Sequence, residues 1–517
     1  MQLKSCAVWV SILAVALVVV PYSHAIPPFS RQYGTSCSTC HIDFPKLNDF
    51  GKAFKDAGFK FPKNDEDFIK IPPVMLGAPA QKEMWPKNAI YPGTIPGIPQ
   101  IGLRFNTFFQ VYSRNRNNFA PPANGAPGIP RTDFQPGLFS IFTAGNFGDG
   151  IAFWVDDDFS VGGANSNGGL GDGYLKFVDI GRLFKLPKDA LSLRVGQFEI
   201  DLPFSQARSW NLSGWDIYDQ ANFGAANGLV AGEGVNNAFA FSSPGQGVEI
   251  SGGHNYGGYH YSLAVINQNT TGVTATTCDP VASPPCNGAG NVSPAVDIFS
   301  DSNFKDIYGR FQYRFNLEKD AASRNDIQAA GATGPRDHTY LQLGTYYFYG
   351  RSVQRVNSES GVLTSREPFY RTGADFSFNY RTFNLFGLFM YGHDKDLVLN
   401  TAGTGFTTGA PAHFSGGFLE ADYLALPWLM TILRYDRVQS QADFLLGQAG
   451  ASTGNYFQPA SATRNRFTPG VQFLIHANIK ASFEYQIRPP QSGPNASGTP
   501  LEQQRTNQAV AGLEWVY

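Results

Sequence analysis

The sequence predicts a mostly-β chain. About sixteen antiparallel strands close into a transmembrane barrel over residues 100–517, behind a small N-terminal segment of α and irregular structure. Three observations predict this. The first is alternation: in "IGLRFNTFFQVYSR", Ile101, Leu103, Phe105, Phe109 and Val111 alternate with Arg104, Asn106, Gln110 and Tyr112, so one face suits lipid and the other water. The second is composition, since 56 Gly, 43 Phe and 23 Tyr suit strands and turns better than helices. The third is a regular inequality between connections.

The alternating pattern places strands near 100–114, 134–147, 150–160, 172–179, 190–200, 245–255, 257–268, 305–316, 337–351, 368–380, 382–393, 412–426, 428–438, 463–475, 477–488 and 503–517. Connections after even-numbered strands are mostly tight, as at Gly148-Asp149, Tyr256, Arg381, Pro427 and His476. Those after odd-numbered strands are mostly long and rich in Gly, Asn, Ser and Pro; the longest is 201–244 and the next is 269–304. Short turns at one rim and long loops at the other are the mark of an outer-membrane barrel, with both chain ends on the periplasmic side. Connections 180–189 and 317–336 break the rule and suggest strands placed wrongly there. A soluble β-sandwich is the competing fold, but it has no need of such asymmetry. In "QAVAGLEWVY", Ala509, Ala511, Leu513, Trp515 and Tyr517 share a face, similar to the last strand of outer-membrane barrels.

The front of the chain sets the compartment. Lys4, the apolar run Cys6–Val20 and Ser23-His24-Ala25 read as a secretory signal over residues 1–25, the alternative being an uncleaved anchor. A formal net charge of −2 excludes a generally basic nucleic-acid binder. Of five cysteines, Cys6 leaves with the signal. Cys278 and Cys286 sit in "TTCDPVASPPCNG", where export favours a loop disulfide over two free thiols.

Cys37, Cys40 and His41 spell C-x-x-C-H, which arises by chance in this composition roughly once in a thousand such chains. It is the pattern by which two thiols hold one haem c through thioethers, with the histidine as proximal iron ligand. A thioredoxin-like C-x-x-C needs a βαβ context and a zinc site a second ligand pair; neither is near. Pro45 to Ala57 reads as a short helix ending before Gly58, with Leu47, Phe50 and Phe54 on one face, a wall toward the porphyrin that also packs on protein. The distal ligand is open. Met84 and Met75 are the candidates, against a gap-filling role for both or a water-bound iron. The haem segment is thus 26–71. Residues 72–99 hold seven prolines and read as an extended strap, unable to form a helix or central strand.

Two further features read as bland. "GGANSNGGLGDG" lacks the Lys-Ser/Thr of a phosphate loop. Asp156 and Asp158 share a face with Trp154, and wet a lumen more readily than they hold a divalent cation.

"RQYGTSCSTCHIDFPKLNDFGKAFKDAGF", followed by a barrel, resembles the fused outer-membrane cytochrome–porin family associated with Fe(II)-oxidising bacteria. The matched segment is about 30 residues, and only Cys37, Cys40 and His41 carry over, as haem ligands. The resemblance implies a protein that oxidises extracellular Fe(II), or meets another electron donor or acceptor. Electrons would pass to a periplasmic carrier through a haem held inside an outer-membrane barrel. Two alternatives stand beside it: a solute porin with a periplasmic haem sensor or stabiliser, and electron export to extracellular acceptors. The short N-terminal segment and the width of a sixteen-stranded lumen lead us to expect residues 26–99 inside the barrel as a plug.

Overall fold

The structure is a computed structural model. It describes residues 28–62, 65–77, 80–87, 94–95, 97, 101–112, 131–148, 150–160, 169–206, 208–209, 211–220, 241, 244–267, 304–317, 339–358, 361–401, 405–440, 463–489, 491–494, 500–503 and 507–517. The signal sequence and the Cys278 and Cys286 pair lie outside the described residues.

The N-terminal part begins with helix α1 (Pro28–Tyr33) and a 3-10 turn at Cys37–Thr39. Strands β1 (His41–Asp43) and β2 (Lys46–Leu47) form a small hairpin, followed by helix α2 (Asp49–Asp56) and helix α3 (Asp65–Phe68). Helix α2 starts later than the proline suggested. Asn48 caps it by accepting a 2.8 Å hydrogen bond from the Gly51 amide, and Pro45 lies in the hairpin turn before it. The strap is also more ordered than its prolines imply. Strands β3 (Val74–Met75) and β4 (Thr94–Ile95) pair, and one helical turn, α4 (Ala80–Met84), fits between Pro79 and Pro86.

The remainder closes as a sixteen-stranded antiparallel barrel, as the alternation predicts. Its strands are β5 (Ile101–Tyr112), β6 (Arg131–Asn146), β7 (Ile151–Ser160), β8 (Gly169–Phe177), β9 (Ser192–Phe198), β10 (Gly245–Gly253), β11 (Gly258–Ile266), β12 (Asp306–Asn316), β13 (Tyr340–Ser358), β14 (Gly361–Tyr380), β15 (Phe383–Thr401), β16 (Gly405–Leu426), β17 (Leu429–Ser440), β18 (Thr463–His476), β19 (Ile479–Gln486) and β22 (Gln508–Val516). A separate hairpin, β20 (Gln491–Pro494) with β21 (Pro500–Gln503), lies outside the barrel sheet. The barrel closes where β22 pairs with β5, from Gln508 opposite Tyr112 to Val516 opposite Arg104. Each predicted strand has its counterpart. Strands β13 to β16 run further on the long-loop side than the sequence suggested. Residues 180–189 hold a short 3-10 turn, Ile180–Phe184, and no strand.

Strand β12 shows the logic of the wall. Arg310, Gln312 and Arg314 are 4%, 4% and 2% exposed, while Phe311, Tyr313 and Phe315 between them are 50%, 41% and 46% exposed. Charges point inward and aromatics outward, the reverse of a soluble protein and the expected pattern of a lipid-facing barrel. The tight turns gather at one rim. Arg381, at φ 55°, makes the two-residue turn between β14 and β15.

Residues 28–62 touch inward-facing side chains all round that rim. Asp49 meets Arg314 of β12, Lys46 meets Asn384 of β15, and Lys480 of β19 donates to the Phe44 carbonyl. Phe59 packs on Trp154 of β7, and Ile42 packs on Met430 and Ile432 of β17. Gly58, at φ 78°, ends α2 so close to the wall that a Cβ there would lie 2.8 Å from Val178 and 3.2 Å from Ala152.

The connection after β9 corrects the sequence reading. Residues 201–244 were expected as an outer loop, yet their first part folds into the lumen. It includes helix α5 (Asp216–Gln220), whose neighbours are β16 and β17.

Candidate functional site

The C-x-x-C-H residues are held by a compact set of backbone contacts. Cys40 N donates to the Cys37 carbonyl, and the Asn48 side-chain amide donates to the carbonyls of Ser38 and Thr39 at 3.2 and 3.0 Å. Helix α2 presses directly on this turn. A Cβ on Gly51 would stand 2.2 Å from the Cys40 carbonyl oxygen, so only glycine permits the approach. Cys37 and Cys40 are free thiols, three positions apart, on one turn. Burial raises Cys37 and pushes Cys40 up to about 12, so both stay protonated.

His41 leaves that turn on β1. Its Nδ1 lies 3.2 Å from the Pro45 carbonyl oxygen, so Nδ1 carries the proton and donates. Burial draws the imidazole down to about 4, against a smaller pull from the Pro45 and Lys46 backbone. A neutral ring, oriented through Nδ1 with Nε2 as a lone-pair donor, is what a metal-ligating histidine needs. Two unpaired thiols on one turn beside this imidazole fit a covalently held haem.

Behind the motif lies an aromatic cluster. Tyr33 stacks on Phe61 at 4.4 Å and Phe29 on Phe59 at 5.3 Å, while Phe54 meets Phe29 edge-on at 4.9 Å. Phe50 and Phe54 are buried in this cluster, with Cys40 packed at its margin and Ala152 of the wall beneath. They therefore pack on protein. Leu47, expected on the same helical face, belongs to β2 and is only half-buried. Met84 is 71% exposed and Met75 52% exposed, on α4 and β3 of the strap. Val74, Leu76 and Trp85 are exposed beside them in sequence.

Salt bridges fasten this segment. Arg314 grips Asp49 with two 2.7 Å hydrogen bonds, and Lys52 reaches the same carboxylate at 3.2 Å. Burial pushes Asp49 up, but Lys52 and Arg314 outweigh it and hold the carboxyl well below its ordinary range. Asp56 takes two 3.0 Å hydrogen bonds from Asn255, at the turn between β10 and β11.

The inward loop is tied as firmly. Trp215 Nε1 donates to Glu420 at 2.9 Å, and the Asn211 amide donates to both oxygens of that carboxylate. Leu212 N and Ser213 Oγ each donate to Glu484 at 2.6 Å, and Asp216 pairs with Arg466 at 3.0 Å. Phe204, Trp215, Tyr218 and Phe241 then join Phe348, Phe369, Phe386 and Phe418 of the wall in one buried cluster across the lumen.

Between the N-terminal segment and the inward loop lies a chamber of about 340 Å³. Lys55, Lys176, Arg194, Arg208 and Arg310 line it, with Glu199, Asp201 and Glu249. Arg208 bonds Asp172 at 3.1 Å and Arg194 bonds Glu249 at 2.7 Å. The Arg208 guanidinium, then burial, then Arg194 and Lys176, pull Lys55 down to about 7, with Asp56 pulling the other way. Asp201 lies 3.1 Å from His260.

Cys37, Cys40 and His41 are thus brought together, while Met75 and Met84 stand apart on the strap. Asp158 accepts from the Ser140 hydroxyl and Asp156 from the Asp172 amide. Among the described residues no group of three or more His, Cys, Asp or Glu is arranged to hold a metal ion. Sequence reasoning missed Lys55, Lys176 and Arg208 as a group, because they lie on three different elements. It also placed Asn211 in an outer loop.

No family model and no curated protein matches the chain. Among solved structures it is similar to an anion-selective porin from Comamonas acidovorans, with 12% identity, a TM-score of 0.47 and coverage of 81% of this chain and 99% of that one. It is also similar to OprB of Pseudomonas putida, at 10% identity and TM-score 0.44, covering 81% and 94%. The outer membrane channel DcaP of Acinetobacter baumannii aligns at 11% identity and TM-score 0.43, covering 81% and 97%. The barrel assignment rests on the strand pairing of this chain itself.

Proposed function

We propose that this chain is an outer-membrane, porin-like barrel that moves electrons across the membrane through one haem c, attached at Cys37 and Cys40 with His41 as proximal ligand. Extracellular Fe(II) is the donor and a periplasmic carrier the acceptor. The observation that carries the reading is His41, its Nδ1 given to the Pro45 carbonyl, directly after the turn that carries two free thiols. The haem, when bound, supplies one-electron chemistry at iron. The chain's own residues do the rest. Asn48 and Gly51 hold the turn against α2. Asp49, Arg314 and Lys480 hold the segment against the tight-turn rim, which in this reading faces the periplasm. The aromatic cluster behind Cys40 keeps water from one side of the motif. Met75 and Met84 remain the candidate distal ligands on the exposed strap.

Haem staining of separated membrane fractions tests this. We expect a haem-stained band in the outer membrane, lost in Cys37→Ala and in Cys40→Ala. On the purified protein, ferrous iron should reduce the haem. An outer-membrane band without haem would refute the reading.

A second reading, a solute channel with the haem segment as stabiliser, draws on the charged chamber in the lumen. Conductance in planar bilayers separates the two. A large conductance in the intact chain favours the channel, and a small one the conduit.

A further inference from the structure

We propose that the chamber between the N-terminal segment and the inward loop is a binding site for a small oxyanion, held by Lys55 of α2, Lys176 of β8 and Arg208 of the loop. The proposal comes from matching charges across the chamber. Lys46 lies 3.8 Å from Asp422 and Lys52 3.2 Å from Asp49. Arg194 has Glu249, Arg310 has Asp375 at 3.0 Å, and Arg208 has Asp172, with Glu199 at 3.6 Å.

Two cations, Lys55 and Lys176, stand in no such pair among the described residues, although Asp56, Glu199 and Asp201 line the same chamber. Lys55 has no hydrogen-bond or ion-pair partner among the described residues. Lys176 has, among the described residues, only the Asp56 backbone carbonyl, at a long 3.4 Å. The Asp56 carboxylate, nearest in sequence, is turned to Asn255. Both half-buried ammonium groups line the chamber beside Arg208 and Arg194, where like charges repel.

An oxyanion answers this arrangement. Its oxygens accept from ammonium and guanidinium donors together, and such charge-assisted bonds are the strong ones. The chamber, about 340 Å³, has room for a small anion such as phosphate or a short carboxylate. Phe204 and Trp215 of the loop and Phe59 of the N-terminal segment line its sides. The downward pull on Lys55 has the same origin, since a bound anion would restore the charge that its cationic neighbours oppose. The inference does not depend on haem and holds for the conduit and the channel alike.

Titration of the full chain in detergent micelles with inorganic phosphate, followed by calorimetry and by thermal unfolding, tests it. We expect one phosphate per chain and a rise in unfolding temperature. Sodium chloride at matched ionic strength should produce neither. Lys55→Met should weaken phosphate binding by about tenfold or more, while Lys55→Arg retains it. In phosphate-free buffer, Lys55→Met should unfold no earlier than the parent, because it removes an unpaired cation. Lys176→Met gives an independent test should the first variant fold poorly. Equal stabilisation by chloride, or undiminished phosphate binding in Lys55→Met or, should that variant fold poorly, in Lys176→Met, would overturn the proposal.

Discussion

Asp49 and Arg314 form a buried, two-pronged ion pair between the N-terminal segment and the wall. Asp49→Asn leaves the buried Arg314 guanidinium without its carboxylate and should cost about 3–5 kcal/mol, whereas Arg314→Met leaves Asp49 to Lys52 and should cost less. The pair also has a pH signature. The Asp49 carboxyl is held below its ordinary value when folded, so its contribution is complete at neutral pH. That contribution fades as pH falls below about 4, the ordinary carboxylate range, toward the depressed folded value. Proteolysis of residues 28–62 should therefore accelerate on acidification, and Asp49→Asn should already be sensitive at pH 7 and change less with acid. Lys55 has the opposite sense. With a folded value near 7, well under that of an ordinary lysine, it costs stability at neutral pH and below, and the cost is relieved as pH rises from about 7 toward 10. Unfolding measured between pH 7 and pH 9 should show the parent gaining on Lys55→Met.

At the scale of elements, the lumen is obstructed twice in series. Residues 28–62 occupy the tight-turn rim, and the inward loop with its aromatic cluster crosses the lumen beyond the chamber. Deleting either obstruction alone should raise conductance only modestly in planar bilayers, and deleting both should open the barrel. A full-sized pore from the N-terminal deletion alone would show that the loop does not seal. The strands were legible because a barrel wall repeats one rule, alternation with period two, along every strand, and β12 obeys it without exception from Ile307 to Phe315. The loop was not legible, because a Gly- and Asn-rich connection reads alike inside or outside the lumen. A clue was present all the same. Trp215, Ile217 and Tyr218 crowd more apolar surface into four residues than a solvated loop carries, and all three are buried. The start of α2 was misjudged for a local reason. Pro45 is a common first-turn residue, but Asn48 is the better cap, and it also binds the cysteine turn.

For the whole molecule, the alternation, the tight-turn rim and the C-x-x-C-H motif were all readable in the sequence. The site's surroundings were not, because its partners are far apart along the chain. Lys480 reaches Phe44 across 436 positions, and Gln508 reaches Gln110 across 398. The seam between β5 and β22 extends past the last strand, where Leu103 and Tyr517 exchange two backbone hydrogen bonds. Removing residues 509–517 should leave the barrel open-edged, which a loss of heat-resistant migration on gels would report. That seam also sets an order of events. The N-terminal segment touches β5 early in the chain, β12 past its middle, and β17 and β19 near its end, so its berth exists only once the final strands are paired. The barrel is wrapped around its own first residues like cloth around a mandrel. Covalent chemistry at Cys37 and Cys40 has its freest access before that wrapping; afterwards both thiols are half-buried and burial raises their pKa, which disfavours the reactive thiolate.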